Sequence, residues 1–104
     1  ILSEAAISFM TRGKLLPGPQ QDVIRDWKSL PGFTYGNLLR VMETPGQYLG
    51  LGVKGEYGWD GWLGAYFAND PVHKITILMG MQKIDAGTWA LTRKVRNAAF
   101  GELI

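Results

Sequence analysis

The apolar and polar positions predict a short helix at the start of the chain, a longer one at its end, and strands between them. Leu2-Ser3-Glu4 is a helix-start pattern: Ser3 can cap, Glu4 sits in the favourable first turn, and Leu2 and Ile7 stand at staple spacing. A helix is predicted from Glu4 to Arg12, with Ala6, Ile7 and Met10 on one face and Gly13 as its stop. Pro17, Gly18, Pro19, Pro31 and Gly32 then interrupt any long element, so Lys14 to Gly32 reads as a surface loop with room for a turn of helix at Gln20 to Trp27. From Phe33 to Met42 the residues alternate, which predicts one strand closed by Glu43-Thr44-Pro45-Gly46. Gln47 to Gly55 is glycine-rich loop. Glu56 to Trp59 and Leu63 to Ala68 read as short strands or as one bent strand around Asp60-Gly61-Trp62. Asn69 to Lys74 is turn chemistry, and Ile75 to Gln82 is an apolar strand, so a hairpin is predicted from Leu63 to Gln82. After Asp85-Ala86-Gly87-Thr88 a helix runs to Phe100 and stops at Gly101. Leu91, Val95, Ala98 and Ala99 share one face, and Arg93, Lys94 and Arg96 lie mostly on the other, read as a solvated face.

Together these elements predict an α+β fold, a twisted antiparallel sheet with the N-terminal and C-terminal helices packed on it. A length of 104 residues suits one domain, and 46% hydrophobic against 19% charged residues implies a folded core. Glycine, at 14 residues, is about twice its usual share and concentrates between Gly32 and Gly64, which favours bent strands over a helix bundle. The net charge of +2 is too small to suggest a nucleic-acid or membrane partner, and neither is expected. With no cysteine there is no disulfide, no thiolate metal site and no cysteine nucleophile. The longest apolar run, Ile77 to Met81, is far below the ~18 residues of a spanning helix, and no basic leader precedes an apolar stretch, so no targeting or transmembrane segment is expected.

Most chemical motifs fail on inspection. His73 is the one histidine and falls in a turn, so it reads as a solvated turn residue. The acidic residues show no spacing that sets two on one face of a regular element, which argues against a self-contained glycosidase or metal site. Gly50-Leu51-Gly52 does not continue into the pattern of a nucleotide loop. No cofactor and no metal are expected.

One segment differs. From Gly55 to Pro71, aromatics and glycines recur in a fixed rhythm, Glu56-Tyr57-Gly58-Trp59-Asp60-Gly61-Trp62-Leu63-Gly64-Ala65-Tyr66-Phe67-Ala68-Asn69-Asp70, and run into the apolar strand. It resembles the third motif of the serine β-lactamase and penicillin-recognising family, in its class C-like and esterase-like members. Trp59-Asp60-Gly61 stands where those relatives carry a Lys-Thr-Gly, His-Thr-Gly or Trp-Gly-Gly triplet, and Gly64, Tyr66-Phe67 and Asp70-Pro71 match the family's glycine, aromatic pair and Asp-Pro beyond that triplet. The opening Ile1-Leu2-Ser3 with Met10-Thr11, the Tyr35-Gly36-Asn37-Leu38 stretch and the last helix are also similar to family elements in the same order.

The resemblance implies an acyl-transfer site in which a strand edge supplies a backbone N–H to the developing oxyanion. By that likeness the catalytic donor is the N–H of Trp62, while Trp59, Asp60 and Gly61 bind substrate: Trp59 walls the pocket and Gly61 permits close approach. Asp60 departs from the usual Thr or Gly, and a carboxylate there would repel a substrate carboxylate. The family's nucleophile lies in Ser-x-x-Lys, and none of Ser3, Ser8 or Ser29 has a lysine three residues on. The chain is therefore expected to be the C-terminal part of a β-lactamase-like serine hydrolase acting on esters, amides or β-lactams, inactive alone. Its expected partners are the missing N-terminal part and, in the parent, a small-molecule substrate. Trp59, Trp62, Tyr66 and Phe67 are expected to face that missing part, so that the isolated chain self-associates. The alternatives are a non-catalytic binding module that uses the aromatic strand edge and a processed subunit that completes another chain's site.

Overall fold

The Ser3 hydroxyl accepts a hydrogen bond from the Ala6 amide at 3.1 Å and caps α1 (Glu4–Met10), as its sequence predicts. The helix closes slightly early. Both the amide and the hydroxyl of Thr11 donate to the Ile7 carbonyl, at 2.9 and 2.8 Å, so Gly13 lies beyond the cap rather than in it. The structure, a computed structural model, describes residues 1–13, 15, 30–48, 50–84 and 90–102. Most of the loop predicted from Lys14, the helical turn at Gln20 to Trp27, and Asp85 to Thr88 fall outside the described residues.

The strand predicted from Phe33 to Met42 is two strands, β1 (Phe33–Tyr35) and β2 (Arg40–Met42), paired antiparallel. Gly36 N–H donates to the Leu39 carbonyl at 2.8 Å, and Leu38 adopts a φ of 60°. An alternating pattern does not register a reversal when the turn residues continue the alternation. The end of α1 covers this hairpin: Asn37 N–H reaches the Met10 carbonyl at 3.4 Å, and a side chain at Gly36 would stand 2.9 Å from the carbonyls of Met10 and Arg12.

A short 3-10 turn (Pro45–Gln47) leads into the loop before β3 (Tyr57–Asp60), after which come β4 (Tyr66–Asp70) and β5 (Ile75–Met79). The five strands form one antiparallel sheet in chain order, β1-β2-β3-β4-β5. The predicted hairpin is present as β4 and β5, joined by a turn over Pro71–Lys74, with β5 ending short of Gln82. The pleat sorts the side chains. Tyr66, Ala68 and Ile77 face α2 (Ala90–Gly101) and bury Phe100 among them, with Val95 and Ala99 at the border. Leu30, Phe33 and Met42 form a second cluster with Tyr48 against it. Thr34, Gly36 and Val41 point to the opposite face, where α1 ends. No residue of α1 is buried.

Helix α2 docks through a face rotated from the predicted one. Thr92, Arg96 and Phe100 are its buried residues, whereas Leu91 and Ala98 are exposed. Arg96, read from the sequence as part of a solvated face, is fully buried. The cause is an ion pair supplied by the sheet, and a helical hydrophobicity pattern carries no trace of it.

Gly58 lies opposite Ala68 in the β3–β4 register, where the strands approach so closely that a Cβ would strike the Phe67 carbonyl oxygen. Gly58→Ala is expected to lower stability by roughly 1–3 kcal/mol through overpacking. Gly80→Ala, whose Cβ meets nothing within 4 Å, should be nearly neutral. Urea unfolding monitored by circular dichroism checks the pair, and equal midpoints would contradict the register.

Candidate functional site

Beyond Asp60 the chain reverses at a tight tip. Gly61 N–H donates to the Ala65 carbonyl at 2.6 Å and Gly64 N–H to the Gly61 carbonyl at 2.9 Å, leaving Trp62 and Leu63 at the two central positions of the turn. Gly64 holds a φ of 93°, which suits glycine. Trp62 is 75% exposed. A Cβ on Gly61 would stand 3.1 Å from the Ala65 carbonyl, so the hairpin's own closure already constrains this position.

Of the four residues singled out from the sequence, Trp62 lies in the turn and the other three divide between two sides of the sheet. Trp59 pairs with Phe67 in register and meets Tyr35 edge-on, with ring centroids 5.7 Å apart. Trp59 and Gly61 line an open groove of about 420 Å³ together with Phe67, Leu78 and Met79. Asp60 points the other way, towards α2, where its Oδ2 accepts from Arg40 Nε at 2.8 Å and the side chain is 8% exposed. Tyr66, expected at the surface that meets a missing part, is buried: its hydroxyl accepts from Arg96 Nη1 at 2.6 Å. Register with β2 covers Tyr57 and Gly58, whereas register with β4 covers Tyr57 to Asp60. The triplet therefore begins where β2 has ended, although β3 is the middle strand of the sheet.

Beneath this segment lies a buried ion network. Glu56 receives both Nη atoms of Arg96, at 2.5 and 2.7 Å, and Arg40 Nη1 at 3.2 Å. Arg96 Nη2 also donates to the Leu51 carbonyl at 2.6 Å. The two guanidiniums are balanced by the carboxylates of Glu56 and Asp60. Both also lie over aromatic rings, Arg40 at 4.6 Å from the Phe33 centroid and 5.1 Å from Tyr66, Arg96 at 5.1 Å from Tyr48 and 5.2 Å from Phe100. Among the described residues Arg96 Nε alone is a buried side-chain polar atom without a partner. Glu56 and Asp60 stand four residues apart and share one face of the β3 segment, with Gly58 between them opposite Arg40. This corrects the expectation that no two acids share a face. The period of two in Glu56-Tyr57-Gly58-Trp59-Asp60 is the signal that reveals it.

Burial lowers the affinity of Arg96 for its proton, but the hydrogen bonds and charge of Glu56, with Tyr66, more than reverse this and hold it charged. Burial raises the Asp60 carboxyl above its ordinary value, against the pull of Arg40. His73 sits in the β4–β5 turn, its Nδ1 2.7 Å from Asp70 Oδ2, while Asp70 Oδ1 accepts the amides of Val72 and His73. Among the described residues no three of His, Cys, Asp and Glu gather into a metal-binding group, and no helix is long and apolar enough to cross a membrane.

Arg96→Met strips Glu56 of its bidentate partner and the Tyr66 hydroxyl of its donor, and should cost roughly 3–5 kcal/mol of stability, the range for a broken buried pair. Urea unfolding measures it, and a loss under about 1 kcal/mol would mean that the network is solvated. For Asp60 the sign with pH is opposite to that of an ordinary surface carboxylate. Its folded pKa lies above the ordinary 3.8, so the native state binds the proton more tightly than the unfolded chain. The stability it contributes is present in full below that ordinary value and is lost as pH rises through the raised one. Relative to Asp60→Asn, the wild-type chain should lose stability over that rise in urea titrations, and a wild-type advantage that grows with pH would contradict the assignment.

No protein-family model matches the chain, and no curated protein is significantly similar to it.

Proposed function

We propose that these residues are the C-terminal part of a β-lactamase-like serine hydrolase, which opens an ester, amide or β-lactam through an acyl-enzyme. The observation that carries this reading is the arrangement of Trp59-Asp60-Gly61-Trp62. It runs off the end of a strand beyond its β2 partner, enters a tight glycine turn, and returns through Tyr66-Phe67 to the Asp70-Pro71 turn. That is the order the family's third motif requires.

In the reaction, a serine oxygen outside these residues adds to the carbonyl carbon and the carbonyl oxygen takes up the negative charge. The leaving group departs with the proton surrendered by the serine, and water then hydrolyses the acyl-enzyme. The N–H of Trp62 donates to the transient oxyanion, and Trp59 walls the acyl pocket. The N-terminal part that would supply the serine would also cover apolar side chains exposed in this chain, among them Ile7, Phe9 and Met10 of α1. A second reading, a non-catalytic module that captures a partner along the aromatic strand, is favoured by the exposure of Trp62, Leu63 and Leu78.

The turn offers a direct test. Trp62 occupies the first central position, which accepts proline, so Trp62→Pro deletes the N–H while keeping a compatible turn. In the longest translated product that contains these residues, Trp62→Pro should lower the acylation rate roughly 10²- to 10³-fold. Trp62→Ala, which keeps the N–H, should act much more weakly. The 104-residue chain alone should turn over neither a chromogenic cephalosporin nor a p-nitrophenyl ester. Equal rates for the two variants, with folding confirmed by circular dichroism, would remove Trp62 from the oxyanion hole.

A further inference from the structure

The β4–β5 ladder ends at the pair Tyr66 and Met79, and the chain beyond β5 runs on past this pair against the Gly61–Ala65 tip. Lys83 N–H donates to the Leu63 carbonyl at 2.8 Å. Met81, half-buried, packs on Gly64 so closely that a Cβ there would strike its Cγ and Sδ, and the Lys83 carbonyl would stand 3.4 Å away. Residues 81–83 therefore form a strap across the tip, continuous with the strand that pairs with β4.

The hydrogen bonds of strap and tip form a relay through two peptide groups. The Leu63 carbonyl, which accepts from Lys83, belongs to the same peptide group as Gly64 N–H, and Gly64 N–H donates to the Gly61 carbonyl at 2.9 Å. The Gly61 carbonyl in turn shares its peptide group with Trp62 N–H. These peptide bonds are trans, so in each planar group C=O and N–H point in opposite directions, and restraining one aims the other. The Lys83 amide thus restrains the Leu63–Gly64 plane, which restrains the Gly61–Trp62 plane and with it the direction of Trp62 N–H. Each bond in such a row also polarises the next and strengthens the donor at its end.

Resting on the hydrolase reading above, we infer that Met81 and Lys83 are positioning residues for the oxyanion donor at Trp62, Met81 through its side chain and Lys83 through its backbone N–H. They act through the tip and not on the substrate. Their effect belongs to the transition state, where negative charge has developed on the carbonyl oxygen, and it leaves ground-state binding unchanged. It is therefore read in kcat and not in KM.

The test uses the longest translated product that contains these residues. Lys83→Pro deletes the N–H at the head of the relay, and Lys83→Ala loses the same side-chain charge but keeps the N–H. Lys83 is exposed, and folding of both variants is checked by circular dichroism. Hydrogen exchange at the Gly64 and Trp62 amides reports the tip itself, and p-nitrophenyl acetate gives kcat and KM. A fluorophosphonate probe reports separately whether an activated serine is present. The expected result is a labelled serine, faster exchange at Gly64 in Lys83→Pro, and a kcat roughly tenfold below that of Lys83→Ala at the same KM. Met81→Ala should show the same pattern with a smaller fall. Where Lys83→Pro does not fold, Met81→Ala decides the matter, and wild-type exchange and kcat in that variant would overturn the inference. A folded Lys83→Pro with the exchange and kcat of Lys83→Ala would overturn the positioning role alone. So would a change confined to KM. Absence of both labelling and turnover in the wild-type product would overturn the hydrolase reading and this inference with it.

Discussion

Glu56 is the joint on which the described structure turns. It is fully buried, it immediately precedes β3, and it holds one arginine from β2 and one from α2. Apart from Val41, the buried apolar residues among those described fall into two clusters with no common member, one around Phe33 and Met42 and one around Tyr66 and Phe100. Arg40 lies over Phe33 of the first and Tyr66 of the second, and Arg96 over Tyr48 and Phe100 in the same way. The seam between two small cores is thus filled by guanidinium planes, which stack on aromatic rings as hydrocarbon would and satisfy carboxylates at their rims. Burying two cations is costly, and the pairing with Glu56 and Asp60 offsets that cost.

The same network reaches the candidate site from below. Asp60 and Tyr66 are the last register pair before the Gly61–Ala65 tip, and each is held by an arginine, Asp60 by Arg40 and Tyr66 by Arg96. Both arginines converge on Oε1 of Glu56. The two feet of the hairpin are therefore fixed relative to each other through side chains as well as through the ladder. They are fixed to α2 as well, through Arg96. A backbone donor at the tip inherits this rigidity. Preorganised donors act strongly in catalysis because they need not reorient as charge develops.

The elements governed by local chemistry were legible in the sequence: the Ser3 cap, the β4–β5 hairpin with its Asn-Asp-Pro turn, and the α+β class. The β1–β2 hairpin was not, because Gly36-Asn37 preserves the alternation that marks a strand. Arg96 was misplaced for a different reason. Its burial depends on an acid 40 residues away in the chain, and no window along a helix contains that partner. At the site, Trp59 and Gly61 were singled out by a family resemblance and lie on one groove, while the partner of Asp60 was hidden by reading it as a member of a triplet. Read with Glu56 at a period of two, it belongs to the face that meets Arg40.

That alternation gives the two faces of β3 different chemistry. Glu56, Gly58 and Asp60 turn one way, and Tyr57 and Trp59 the other, so a single five-residue stretch sends its charge under the sheet and its aromatics above it. Gly58 is what allows both at once. Its missing side chain lets β4 approach closely and lets the Arg40 guanidinium extend over it, within 3.5 Å of the Phe67 carbonyl. Phe67 then presents its ring on the opposite face, beside Trp59. The charges of Arg40, Glu56, Asp60 and Arg96 are paired with one another on the far side of the sheet from Trp59. If the tip donates to an oxyanion, its N–H acts beside the Trp59 and Phe67 rings, where low polarity strengthens a hydrogen bond to a developing charge.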